Sequence, residues 1–181
     1  VRAKLVNYGL YQAGWFCCVL AAAHGRPWWG ALAGLALIAA HVALLARPAA
    51  ELRLLLVAGL LGAAVDSLQS CAGLLVFRSG YVAGCLAPPW IIVMWMQFAT
   101  LFGFSLSFLR GRYGLSAALA AVGGPLAFWV GGRLGAVELP APMLRSLLVL
   151  GAVWAAAVPF LVWVAERSYA RGPAPAYRRA S

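Results

Sequence analysis

Apolar residues run along this chain in long unbroken blocks, and polar residues gather between them. The blocks cover residues 5–23, 28–46, 52–77, 89–109, 115–132 and 144–165. Each reaches or approaches the roughly 17 to 25 residues that a helix needs to cross the hydrocarbon core of a bilayer. Their continuity favours helices, because a membrane barrel would show alternating segments of about ten residues. The pattern predicts an all-α polytopic membrane protein, a bundle of six transmembrane helices within residues 1–166. A short, disordered, basic tail, 167–181, would follow and lie against the inner leaflet. The opening Val1-Arg2-Ala3-Lys4 reads as the start of a retained first helix, since no small-residue cleavage site precedes the loop at 24–27.

Basic residues give the direction. With the N-terminus inside, Arg2, Lys4, Arg47, Arg53, Arg110, Arg112, Arg167, Arg171, Arg178 and Arg179 are cytoplasmic, and Arg26, Arg78, Arg133 and Arg145 are outside. That asymmetry follows the positive-inside rule. An odd number of spans would separate the basic start from the basic tail, so six spans with both termini in the cytoplasm, in a bacterial inner membrane, is the topology expected.

Composition agrees: 65% of the residues are hydrophobic and 10% charged, against about 25% charged in ordinary soluble domains. The net charge of +10 would suggest nucleic acid in a soluble protein. Here the cations sit singly or in pairs between spans, which suits membrane lipids as partners and leaves no reason to expect nucleic acid. Cys17, Cys18, Cys71 and Cys85 form no C-x-x-C and have no His at ligand spacing, so neither a metal nor a cofactor is expected. Free thiols are the expected state, although Cys71 and Cys85 could meet on the oxidising side.

Polar residues inside the spans are the candidates for chemistry. Asp66 lies about 21 Å along the third helix from its inner end, where a carboxyl costs roughly 2.5 to 3.5 kcal/mol to insert. Gly59, Gly62, Asp66, Gln69, Ser70 and Gly73 recur at steps of three and four, a stripe that should face the interior. The fourth helix brings Gln97, Thr100 and Ser107 to one face; the first offers Asn7 and Gln12, and the second His41. Asp66 is expected within contact of Gln97 or of Arg133, whose side chain could turn inward across about 6 Å of depth. Pro125 after Gly123-Gly124 should kink or locally break the fifth helix, and such an irregularity can border a binding site or merely permit close packing. Trp15, Trp95, Trp129 and Trp154 would supply flat apolar walls.

Taken together, Tyr11-Gln12, Trp15-Phe16, His41, Gly62 and Asp66, Pro88-Pro89-Trp90, Trp95, Phe98-Ala99-Thr100-Leu101, Gly123-Gly124-Pro125, Gly131 and Leu134-Gly135-Ala136 resemble domain-of-unknown-function family 2878. The resemblance covers residues 5–165. It implies a compact multi-helix bacterial inner-membrane protein, of a kind often encoded near enzymes that modify fatty acyl chains, and it implies no activity. Phe102-Gly103-Phe104 departs from the family, which usually carries a polar residue there.

Two function classes remain open at this point. One is a membrane protein that binds or moves a small amphipathic or lipid-derived molecule, with Asp66, Gln69, Gln97, Arg133, Gln12, His41 and Trp95 as candidate ligand-binding residues. The other is a membrane-embedded enzyme acting on a lipid, with Asp66 as acid or base and His41 or Arg133 as partner. His41 and Asp66 differ in depth by about 10 Å or more, which disfavours a direct dyad. No Ser with a later His, no H-E-x-x-H and no carboxylate pair is present. A structural subunit of a membrane complex is a third reading.

Overall fold

Three of the helices end in the same way. After Ala23, Cys71 and Arg133 the chain reaches Gly25, Gly73 and Gly135, each at positive φ. The glycine's own amide and the next one return to helix carbonyls, as in Gly73 N–H to Ser70 O at 3.0 Å and Leu74 N–H to Gln69 O at 2.9 Å. This Schellman arrangement satisfies orphan carbonyls, and its left-handed residue is favourable for glycine alone among common residues. Two helices begin on prolines, Pro27 and Pro89, where no intrahelical N–H is lost.

The computed structural model describes residues 1–46, 48–170 and 175–178. Its elements are α1 (Arg2–Ala23), α2 (Pro27–Leu44), α3 (Ala49–Cys71), β1 (Val76–Phe77), α4 (Pro89–Ala99), two short 3-10 segments (Thr100–Gly103 and Ser107–Leu109), α5 (Tyr113–Arg133), β2 (Val137–Glu138) and α6 (Met143–Tyr169). Five helices, α1, α2, α3, α5 and α6, are long and apolar enough to cross a membrane; α4 is shorter. Leucines such as Leu56, Leu60, Leu68, Leu144 and Leu148 cover the outside, the arrangement of a protein whose surroundings are apolar.

The third helix is shorter than its apolar block, because Gly73 turns the chain at Cys71. The following excursion is closed by a disulfide between Cys71 and Cys85, which corrects the expectation of free thiols; Cys17 and Cys18 are the unpaired cysteines among the described residues. Val76 pairs with Glu138 and Phe77 with Val137 in an antiparallel ribbon. These features define a disulfide end of the bundle, opposite the terminal end where α1 starts and α6 stops.

Of the kink or break expected in the fifth helix, the break is absent. α5 is helical through Pro125, and the carbonyl of Ala121, which Pro125 cannot engage, faces α6 at Gly151, where a Cβ would sit 3.0 Å from that oxygen. An interruption lies in the fourth apolar block, where α4 stops at Ala99 and gives way to 3-10 turns. Asn7 of α1 accounts for it: its Nδ2 donates to Thr100 O at 3.1 Å, and its Oδ1 accepts from Ser105 Oγ at 2.9 Å. Side chains thus replace missing ladder bonds, and Thr100 to Phe104 are buried in protein, as irregular backbone at membrane depth requires. Ser107, expected on the same helical face as Gln97 and Thr100, falls beyond the break.

The tail also begins later than expected. α6 continues to Tyr169, and residues 175–178 lie along the end of α2, with Ala46 N–H donating to Ala176 O at 3.1 Å and Arg178 N–H to Leu44 O at 2.8 Å. Arg47, Arg171 and Arg179, counted among the cytoplasmic cations, lie outside the described residues, as does the rest of the tail.

α1 packs with α2 and α5 with α6; α4 packs against α1, α2 and α3, and α3 reaches α6. Large aromatic rings, not close backbone approach, connect α4 to the α5–α6 pair.

Candidate functional site: an aromatic groove and a buried polar cluster

Because α1 and α5 flank α4 without packing closely against each other, a groove of about 540 Å³, counted to its open mouth, runs between them. Tyr11 and Trp15 of α1, Trp90, Trp95 and Phe98 of α4, Phe128 of α5 and Trp154 of α6 form its walls. Among the described residues no charged side chain lines it.

Glycines hold two of these rings in place. A Cβ on Gly62 would fall 2.2 Å from Trp95 Cγ, and one on Gly124 would fall 2.3 Å from Trp154 Cγ. Each indole therefore occupies a notch, and the two stack with centroids 4.7 Å apart. The Trp95 Nε1–H donates to Asp66 Oδ2 at 2.7 Å, and Gln69 Nε2 donates to Asp66 Oδ1 at 3.2 Å. Asp66 is wholly buried, so its carboxyl anchors the groove wall from behind.

Asp66 points into the bundle, as its stripe predicts, but neither expected partner meets it. Gln97, two residues from Trp95, faces the opposite side of α4, where it sits against Gly14 and donates from Nε2 to Gly34 O at 3.1 Å. Arg133 is exposed at the end of α5. Gln12 is half-buried and makes no side-chain hydrogen bond among the described residues. Trp129 is exposed, and Trp90 takes the wall position expected of it.

His41 belongs to a separate cluster at the terminal end. Its Nε2 lies 3.0 Å from Glu51 Oε1 and its Nδ1 2.9 Å from the Tyr177 hydroxyl. Tyr169 O–H donates to the other Glu51 oxygen at 2.5 Å. Burial first, and then the Glu51 carboxylate, push the Tyr177 phenol up to about 12, so Tyr177 keeps its proton. Tyr177 also stacks on Phe104, centroids 4.6 Å apart. Every polar atom of the pair is therefore engaged within the chain. Sequence reasoning missed Glu51, Tyr169 and Tyr177; the available signal was that Glu51 is one of only four acidic residues. Among the described residues no three His, Cys, Asp or Glu side chains converge as metal ligands.

The family described as "Protein of unknown function (DUF2878)" matches residues 4–160. The chain belongs to this family. No curated protein and no solved structure matches it. The family match spans both constellations except Tyr169 and Tyr177, which lie beyond it. Family membership itself names no activity, so function has to be argued from the two sites.

Proposed function

We propose that this member of the family is a multi-pass protein of the cytoplasmic membrane that binds, or passes along, an amphipathic or lipid-derived molecule whose hydrocarbon chain lies in the aromatic groove. The observation that carries the reading is the groove: a lateral opening between α1 and α5, walled by rings and without a charge. An apolar chain in such a site exchanges lipid contacts for closely packed aromatic ones, and the notched tryptophans give it rigid walls. Asp66 has a positioning role in this reading, holding Trp95 upright.

The membrane orientation proposed with it puts both termini in the cytoplasm. It is supported by the cations gathered at the terminal end and by the disulfide at the other, since disulfides persist on the oxidising side. A catalytic reading has less support, because the candidate acid Asp66 and the His41–Glu51 pair occupy separate regions and each is engaged internally.

Native mass spectrometry of gently extracted protein tests the proposal. The native chain is expected to retain lipid-sized adducts. Ala127→Phe, which places a ring inside the groove, is expected to lose them while thermal stability stays close to native. Adducts that survive Ala127→Phe unchanged would sink the groove as their site.

A further inference from the structure

Asp66 is the only aspartate in the chain and is wholly buried. The side chains that bond it are neutral: the indole N–H of Trp95 at 2.7 Å and the amide of Gln69 at 3.2 Å. It forms no ion pair among the described residues, whose two pairs are His41–Glu51 and Arg78–Glu138. Nor does a charge stand close by on the elements packed around it. α4 has no ionisable residue between Pro89 and Ala99. On α6 the ring of Trp154 stacks on Trp95, and the nearest ionisable residues, Arg145 and Glu166, are nine and twelve positions from it, about 13 Å or more by helical rise. On α3 itself Glu51 and Arg53 are fifteen and thirteen positions away. Beyond Cys71, the Tyr81 hydroxyl meets Ser70 and the Phe77 amide, not Asp66.

An ionised carboxyl in that setting has neither bulk water nor a counterion, a loss that two neutral hydrogen bonds do not offset. A protonated one has a different requirement, an acceptor for its own O–H. Gln69 is suited to provide it. With Nε2 toward Asp66, its Oε1 is buried and unpartnered; with the amide turned, that oxygen accepts from the acid while Trp95 still donates to Oδ2. The way to water is shortest toward the disulfide end. Asp66 is five positions from the end of α3 at Cys71, about 7 to 8 Å, and the Ser70–Tyr81 bond there is exposed.

We infer that Asp66 with Gln69 is a proton-binding site, a neutral carboxyl held behind the groove wall, and that proton binding and occupation of the groove favour each other. Trp95 joins the two, because it lines the groove and donates to Asp66 from its edge. An ionised Asp66 draws water toward the wall, and a hydrocarbon chain in the groove keeps water out. The occupied groove therefore favours the acid form, and by reciprocity the proton tightens the chain. This linkage rests on the groove reading above; the proton site itself does not.

Aspartate labelled with carbon-13 at its side-chain carboxyl marks Asp66 alone, so the isotope-shifted infrared band reports its protonation directly. In native protein held in lipid nanodiscs at neutral pH, the protonated-acid band is expected, shifted in deuterium oxide and absent from Asp66→Asn. As pH rises the band should give way to that of the carboxylate. Affinity for 1-bromoundecane, read by quenching of tryptophan fluorescence, should fall over the same interval, by at most about tenfold per pH unit, the limit for one linked proton. Asp66→Asn should bind the chain without that pH dependence, and 1-bromoundecane should move the disappearance of the native band to higher pH. A carboxylate band at neutral pH overturns the proton site. An affinity that ignores the loss of the band, or a band that persists at every pH at which the protein stays folded, overturns the linkage. If the chain quenches no more than the tryptophans exposed to bulk lipid allow, the groove reading fails and the linkage with it, while the labelled band still decides the proton site. Should Asp66→Asn not fold, the shift of the native band by 1-bromoundecane decides, and no shift refutes the linkage.

Discussion

Gly62 and Gly124 show how a residue with no side chain shapes a site. Each leaves the space that an indole fills, so adding one methyl drives a Cβ into Trp95 or Trp154. Gly62→Ala and Gly124→Ala are each expected to destabilise the fold by about 1 to 3 kcal/mol, the usual cost of overpacking, and Gly62→Ala should also disturb the Trp95–Asp66 bond. Melting curves of purified protein in one fixed detergent check this, and a native-like melting temperature for both variants would contradict it. Asp66 makes a different demand. Asp66→Asn keeps an acceptor for the Trp95 Nε1–H, and Gln69 can turn its amide so that its unpartnered Oε1 accepts from the new Nδ2. Asp66→Leu removes the acceptor and leaves a buried N–H unpaired, at about 1 to 3 kcal/mol. The expected order of stability is therefore native close to Asp66→Asn, with Asp66→Leu well below. The sequence made the burial of Asp66 legible through its stripe of small and polar residues. It could not name the partner, because Trp95 and Gln97 are two residues apart on one helix, and only helix packing decides which of their two sides meets α3.

At the level of elements, a helix is interrupted where another part of the chain can satisfy the freed backbone. Pro125 looked like the stronger breaker, yet α5 continues through it, since a single lost N–H is tolerated when the freed carbonyl sits against Gly151. α4 stops at Ala99 with no proline to force it, because Asn7 and Ser105 supply replacement hydrogen bonds. Asn7→Leu should lower stability by about 1 to 3 kcal/mol by orphaning those groups, whereas Gln12→Leu on the same helix should have little effect. Comparison of the two melting curves tests the asymmetry. The strap at residues 175–178 gives another test. Tyr177→Ala removes both the stack on Phe104 and the bond to His41, so the amides of Ala46 and Arg178, which pair α2 with the strap, should exchange hydrogen faster. Tyr177→Phe keeps the stack and should show a smaller increase. Equal protection in all three proteins would mean that Tyr177 does not hold the strap.

For the whole molecule, the disulfide and the cations bear on orientation and stability together. The Cys71–Cys85 link spans 14 positions, and a closed loop of that size is worth about 3 kcal/mol in the chain-entropy account. Replacing both cysteines by serine is expected to lower stability by that order. After reduction, a membrane-impermeant maleimide added to intact spheroplasts should label Cys71 or Cys85. Labelling that requires disrupted membranes would reverse the proposed orientation.

Several features were set by the sequence alone, because they depend on local pattern: the membrane class, the number of apolar blocks, and the proline that opens α4. Long-range pairings came only with the tertiary structure. Glu51 at the start of α3 and Tyr177 in the tail meet His41 across 10 and 136 positions, and Cys85 meets Cys71 because Gly73 turns the chain back. The groove has the same origin. Its tryptophans are visible in the sequence one by one, but its existence depends on α1 and α5 standing apart over a short α4, and that separation is fixed by the combined packing of side chains from every helix.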